Sequence, residues 1–241
     1  YNDFWLPNLS LPRNAQPNPA HHALHEIVMR YPTTLSIITQ NVDGLHLPCQ
    51  NLIEAHGRLG FFKCIPDEDS DTDSDDDDDD ERLVHLGNRR KRRLAMSSQR
   101  CRFQQQDSLA VHQLEPAESR TILESGRGRI SEAPKCPSCS NAVAPQALLF
   151  DEGYHSHDFY QFQKMEEWLA NAEVIVFVGT SFAVRLPEIA LEHARAENIP
   201  VYNFNTQDML EANARLNATN LKGPSEQLLP RLLQEIKELE V

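Results

Sequence analysis

Short apolar runs alternate with stretches of helical spacing along most of this chain, and that alternation restricts the fold more than any other feature. "TLSIIT" (Thr34 to Thr39) is a β-branched run of strand length. "EVIVFVG" (Glu173 to Gly179) is continuous and apolar, the pattern of a strand covered on both faces. "IPVYNF" (Ile199 to Phe204) is a third such run. Ahead of the first, "PAHHALHEIVMRY" sets Ala20, Leu24, Ile27, Val28 and Tyr31 at helical spacing, with a proline near the first turn. "DFYQFQKMEEWLANA" carries Phe159, Phe162, Met165 and Leu169 in register. "LPEIALEHARAE" and "PSEQLLPRLLQEIKEL" predict two further helices. Strands alternating with helices predict an α/β fold with a parallel sheet.

The stretch from Ile65 to about Pro134 breaks this alternation. "DEDSDTDSDDDDDDE" (Asp67 to Glu81) holds twelve carboxylates, and without them the net charge of −13 becomes −1. The body of the chain is therefore near neutral. "NRRKRR" (Asn88 to Arg93), "SSQRCRFQQQD" and "ESGRGRIS" follow. Like charges at this density repel and bury no apolar area, which predicts that most of this stretch is a disordered insertion, its low-complexity part at about 66–98. The division expected is a larger lobe of residues 1–62 and 142–241, with a smaller module at 63–141. No uncharged apolar run reaches the roughly 18 residues of a membrane span, so a soluble chain is expected, without membrane or direct nucleic-acid contact. The chain begins with Tyr1 and shows no secretory leader, which reads as a fragment or a processed chain.

Ligands of open α/β sheets sit beyond the carboxyl ends of the strands. Three strand ends here are polar: "SIIT" runs into Gln40, Asn41 and Asp43, "VIVFVG" into Gly179, Thr180 and Ser181, and "VYNF" into Asn205. Each alone is ordinary turn chemistry. Together on one sheet edge they point to a nucleotide, with a glycine for close backbone approach and hydroxyls for phosphate or ribose. Five cysteines without a secretory signal point to metal or free thiols. Cys136 and Cys139 in "KCPSC" form a C-x-x-C knuckle, which suits Zn²⁺ or, alternatively, a redox pair. Cys64 and Cys101 flank the charged tract and complete a set of four; Cys49, beside the nucleotide edge, is set aside. His56 in "LIEAHGRL" is a candidate base, since imidazole titrates near neutrality. "HSH" (His155 to His157) reads as a loop or helix start.

Taken in order, "PNPAHHAL", "TQNVDGLH", "EAHG", the cysteines, "APQALLFDE", "VGTSFAV" and "VYNFN" resemble the sirtuin family of NAD-dependent protein deacylases over about 170 residues. The resemblance implies a Rossmann-like lobe, incomplete at its amino terminus, and a small structural zinc module. It implies that Gln40, Asn41 and Asp43 line the nicotinamide and ribose pocket. Gly179, Thr180 and Ser181 would hold phosphates and ribose, and Asn205 the adenosine side. His56 would act as general base after the acyl oxygen attacks the ribose, with free lysine and O-acyl-ADP-ribose as products. Phe150, Asp151 and Glu152 match the loop that takes an acyl-lysine protein, histone tails among the candidates. There Asp151 replaces the family's usual glycine.

The family's Gly-Ala-Gly-Ile-Ser turn and Pro-Asp-Phe-Arg loop do not occur here. The native protein, a eukaryotic, fungal-type member by this reading, is therefore expected to extend upstream of Tyr1, and this chain to bind NAD weakly. Two other readings stay open: a non-catalytic scaffold, and mono-ADP-ribosyl transfer. The basic tract at Arg89 to Arg93 favours a nuclear over a cytoplasmic location.

Overall fold

The computed structural model describes residues 1–10, 15–65, 101–149, 152–208 and 217–240. The charged tract, including Asn88 to Arg93, lies outside them. In chain order the first elements are α1 (Trp5–Ser10), α2 (Pro19–Arg30), β1 (Ile37–Thr39), β2 (Leu52–Glu54) and β3 (Gly57–Cys64). Next come β4 (Leu109–Ala110), α3 (Ala117–Ser125), β5 (Val143–Ala147), α4 (Phe162–Ala170) and β6 (Ile175–Val178). The last are α5 (Arg185–Glu197), β7 (Val201–Asn205), β8 (Ala218–Lys222) and α6 (Ser225–Leu239). Two compact units result: Tyr1–Leu9 with Gly60–Gln146, and Ser10–Leu59 with Ala147–Val241.

In the larger unit β6, β7 and β8 form a parallel ladder, with Ile175 opposite Val201 and Val201 opposite Ala218. Side chains alternate along a strand, so Ile175 and Val201 share one face. α5 covers that face with Ala190, Leu191 and Ala194. On the other face Phe204 and Val178 pack against Ala20, Ala23 and Ile27 of α2 and Leu229 and Leu233 of α6. α2 starts where it does because Asn18 and His21 cap it reciprocally. The Asn18 side chain accepts from the His21 N–H, and the His21 ring accepts from the Asn18 N–H, both at 3.2 Å.

The structure departs from the sequence reading in four places here. Val176 and Tyr202, on the α2/α6 face but toward the amino ends of their strands, are 47% and 39% exposed, so β6 is not covered along both faces. β1 pairs with β2 in a separate parallel ladder, Ile37 opposite Leu52 and Thr39 opposite Glu54, rather than joining β6 and β7. Apolar runs reveal strands but not their neighbours. The single helix expected over 158–172 is broken: a 3-10 turn at Asp158–Tyr160, then Gln161 at φ 50°, then α4. His157 causes the break by accepting the Phe159 N–H at 3.1 Å, which caps the turn, while Tyr160 is fully buried. Lastly, β8 went unread because "ATNLK" lacks an apolar run.

The smaller unit is built on β4–β3–β5, with Phe62 antiparallel to Leu109. Its core is Phe62, Phe103, Leu109, Leu114, Leu123, Ile130 and Val143. Residues 101–134, expected to be mostly disordered, are therefore folded. Widely spaced apolar residues between the charges suffice because each is buried. "GRG" proves to be a helix stop, with Gly126 left-handed at φ 67° after α3. The Tyr1 hydroxyl donates to the Val143 carbonyl, and Asn2 exchanges bonds of 2.9 and 2.8 Å with the Ile130 main chain. These bonds group Tyr1–Leu9 with the smaller unit, where the sequence division had placed them in the larger lobe. No helix among the described residues is long and apolar enough to cross a membrane.

Candidate active site and metal centre

Four sulfurs converge in the smaller unit. Cys64 ends β3, Cys101 precedes a 3-10 turn, and Cys136 and Cys139 lie in the turn before β5. All four Sγ atoms lie within 4.8 Å of one another. Cys64 is 3.7 Å from Cys101 and 3.8 Å from Cys139, and Cys101 is 3.8 Å from Cys136. A tetrahedron with Zn–S bonds of about 2.3 Å has edges of about 3.8 Å, which these three separations match. The knuckle is preset: the Ser138 N–H points at the Cys136 sulfur at 3.4 Å, and the Ser140 N–H donates to the Cys136 carbonyl at 2.9 Å. Burial pushes the Cys64 thiol far above its ordinary range, so four thiolates here require a cation. Cys49 is not part of the cluster.

In the larger unit one register delivers two of the candidate residues. Because Thr39 pairs with Glu54, the chain leaves both strands side by side, and the Ala55 N–H donates to the Thr39 carbonyl at 2.9 Å. Gln40 and His56 therefore emerge together from adjoining strands. The Leu148 N–H donates to the His56 carbonyl at 2.9 Å, tying the next segment to this turn. Burial lowers the His56 pKa from its ordinary value, with the Gln40 main chain opposing, which favours the neutral ring. Its Nε2 lies 3.0 Å from the Tyr154 hydroxyl. The side-chain Nε2 of Gln40 is buried and has no hydrogen-bond partner.

Asn41 and Asp43 follow Gln40 in the next turn. Asp43 accepts the Leu45 N–H at 2.9 Å, closing its own turn. The turn needs Gly44, at φ 68°, where a Cβ would also lie 2.7 Å from Arg58 Nε. The Asn41 N–H donates to Thr39 Oγ1 at 3.2 Å, and its side chain is exposed. Nearby, the His21 and His46 rings meet edge to face at 5.1 Å. Burial lowers both, and Asp43 opposes the shift.

The tips of β6 and β7 are joined directly. Gly179, at φ 62°, donates to the Phe204 carbonyl at 2.9 Å, and the Asn205 amide donates to the Thr180 carbonyl at 2.8 Å. Thr180 Oγ1 accepts the Phe182 N–H at 3.2 Å, while Ser181 is exposed. Glu152 closes its loop on Leu149 with two bonds of 3.1 Å. Phe150 and Asp151 lie outside the described residues. Tyr154 was missed, because "GYHSH" drew attention only to its histidines.

With this geometry in place, the chain was compared with known proteins. A family model described as the Sir2 family matches residues 4–186. The chain belongs to the Sir2 family. Among curated Sir2 relatives, the NAD-dependent deacetylase sir2E of Dictyostelium discoideum is 30% identical over 243 residues, covering 98% of this chain. The chain spans 60% of that relative's length. Of solved Sir2 structures, a Sir2 homolog–NAD complex superposes with TM-score 0.60 at 21% identity, covering 94% of this chain and 67% of that one. Sir2Af2 bound to a myristoylated histone peptide gives 0.61 at 20%, covering 98% and 80%. These likenesses establish the Rossmann-like α/β fold of Sir2 proteins.

Proposed function

We propose that this chain is an NAD-dependent protein-lysine deacylase with a structural zinc, and that acetyl-lysine proteins, histone tails among them, are its substrates. One observation carries the reading: a neutral imidazole and a buried, unpartnered amide donor leave paired strand ends side by side. A buried donor without a partner is costly, and the carboxamide of nicotinamide offers the acceptor Gln40 lacks. Bound NAD would supply an electrophilic ribose carbon with nicotinamide as its leaving group. His56 would accept a proton from a ribose hydroxyl, a task its lowered pKa permits at neutral pH. Gly179, Thr180, Ser181 and Asn205 would hold the rest of the dinucleotide, with Asn41 and Asp43 on the nicotinamide side. Glu152, with Phe150 and Asp151, would border the peptide. The names of the relatives support the same activity.

Mass spectrometry of an acetyl-lysine histone peptide incubated with the full-length protein and NAD tests this. Deacetylation with O-acetyl-ADP-ribose supports it, and peptide carrying ADP-ribose would replace it with ADP-ribosyl transfer. An unchanged peptide together with absent NAD binding would leave a scaffold protein. A nuclear location is part of the proposal; a reporter fused to residues 82–100 should enter nuclei, and even distribution would refute it.

A further inference from the structure

Tyr154 opens a single 3-10 turn, Tyr154–Ser156, and its ring is held between two others. Phe162 stacks on it at 5.3 Å and 14°, and His56 at 5.8 Å and 30°. Phe162 is the first residue of α4, and the His155 ring meets it edge-on at 4.4 Å. The phenol therefore has little freedom, and its hydroxyl lies 3.0 Å from His56 Nε2.

The direction of that bond follows from the neighbours. Burial raises the Tyr154 hydroxyl above its ordinary pKa, with Arg185 opposing, so the phenol keeps its proton. The neutral His56 ring has one N–H and one lone pair. A neutral imidazole nitrogen is a stronger acceptor than a phenol oxygen, so the phenol donates its proton to the ring nitrogen it faces. The N–H is thus on Nδ1, and Nε2 accepts from Tyr154.

We propose that Tyr154 is the positioning residue for His56, holding it in the Nδ1–H tautomer and occupying Nε2 until an incoming ribose hydroxyl takes its place. This rests on the reading of His56 as the proton acceptor. One lone pair cannot serve two hydroxyls, so binding exchanges the phenol for the ribose. No proton moves in that exchange; the incoming hydroxyl later gives its proton to the vacated Nε2.

Tyr154→Phe keeps the stack and removes only the hydroxyl, whereas Tyr154→Ala removes both. Nitrogen-15 NMR of His56 in the chain without ligand should show the Nδ1–H tautomer in the wild type and a mixture of both tautomers in Tyr154→Phe. Identical tautomer populations would overturn the proposal. In calorimetric titration with NAD, Tyr154→Phe should bind about five-fold more tightly, because it leaves the Nε2 acceptor unpaired in the free state. Unchanged or weaker binding would refute the exchange. Should the full-length wild type bind no NAD, the deacylase reading fails, and the tautomer measurement still decides the role of Tyr154.

Discussion

In the smaller unit, four sulfurs arrive from β3, the segment after residue 100 and a four-residue knuckle, separated by as many as 75 positions. In the larger unit, His56 and Gln40 come from adjoining parallel strands whose pairing alone sets them side by side. The first arrangement needs a metal to be stable, since nothing else offsets four crowded thiolates. The second needs only a strand register and aromatic packing. Loss of metal and loss of the imidazole should therefore act on different parts of the molecule.

The largest effect expected is from zinc removal. Binding of structural zinc is itself folding energy, with apparent values of about 10–16 kcal/mol in zinc-finger peptides. Cys64→Ser should abolish metal by atomic absorption and strip hydrogen-exchange protection from β3, β4 and α3. Amides of α2 and α6 should stay protected, and Cys49→Ser should retain one zinc per chain. Equal loss of protection in both units would break the comparison.

His56→Ala comes next and should reverse the pattern. NAD-dependent deacylation is expected to fall by roughly 10²–10⁴-fold, with zinc content unchanged; a variant retaining wild-type turnover would remove His56 from the chemistry. Gly44→Ala should be milder. A side chain at φ 68° costs about 1–2 kcal/mol, and Arg58 must also move. Urea unfolding should show that loss in the larger unit, and an unaltered midpoint would mean the turn reshapes freely.

The smallest effect is one of pH. His21, His46 and His56 all have folded pKa values lowered by burial, so the unfolded chain binds more protons. Their contribution is complete above the ordinary value of about 6.5 and is lost as pH falls through the lowered folded values. Glu54, raised by burial, works the other way nearer its own range. Hydrogen exchange of α2 and α6 between pH 7.5 and 5.5 should show weaker protection at the acid end. Flat protection would mean these rings are not desolvated.

α2 was legible because its apolar spacing and its Asn18–His21 cap are both local. The cysteine set was legible from residue type and from the flanking charges. The fold of residues 101–134 was not, since the burial of Leu109, Leu114 and Leu123 depends on tertiary packing, as where Leu109 pairs with Phe62 across β3 and β4. The break at Gln161 was hidden because His157 overrides an otherwise helical spacing. Tyr154 carries no signal in its neighbours; only tertiary packing brings its hydroxyl to His56.

What the sequence determined by itself is the menu: which segments are strands or helices, and which side chains can bind metal or exchange protons. Such choices depend on periodicity and chemistry within a few residues of chain. The tertiary structure decided which strands pair, how Gln40 and His56 come to leave adjoining strands, and which hydroxyl meets the His56 ring. Those depend on register and packing between residues far apart in the chain, where a shift of one position would send each side chain to the opposite face.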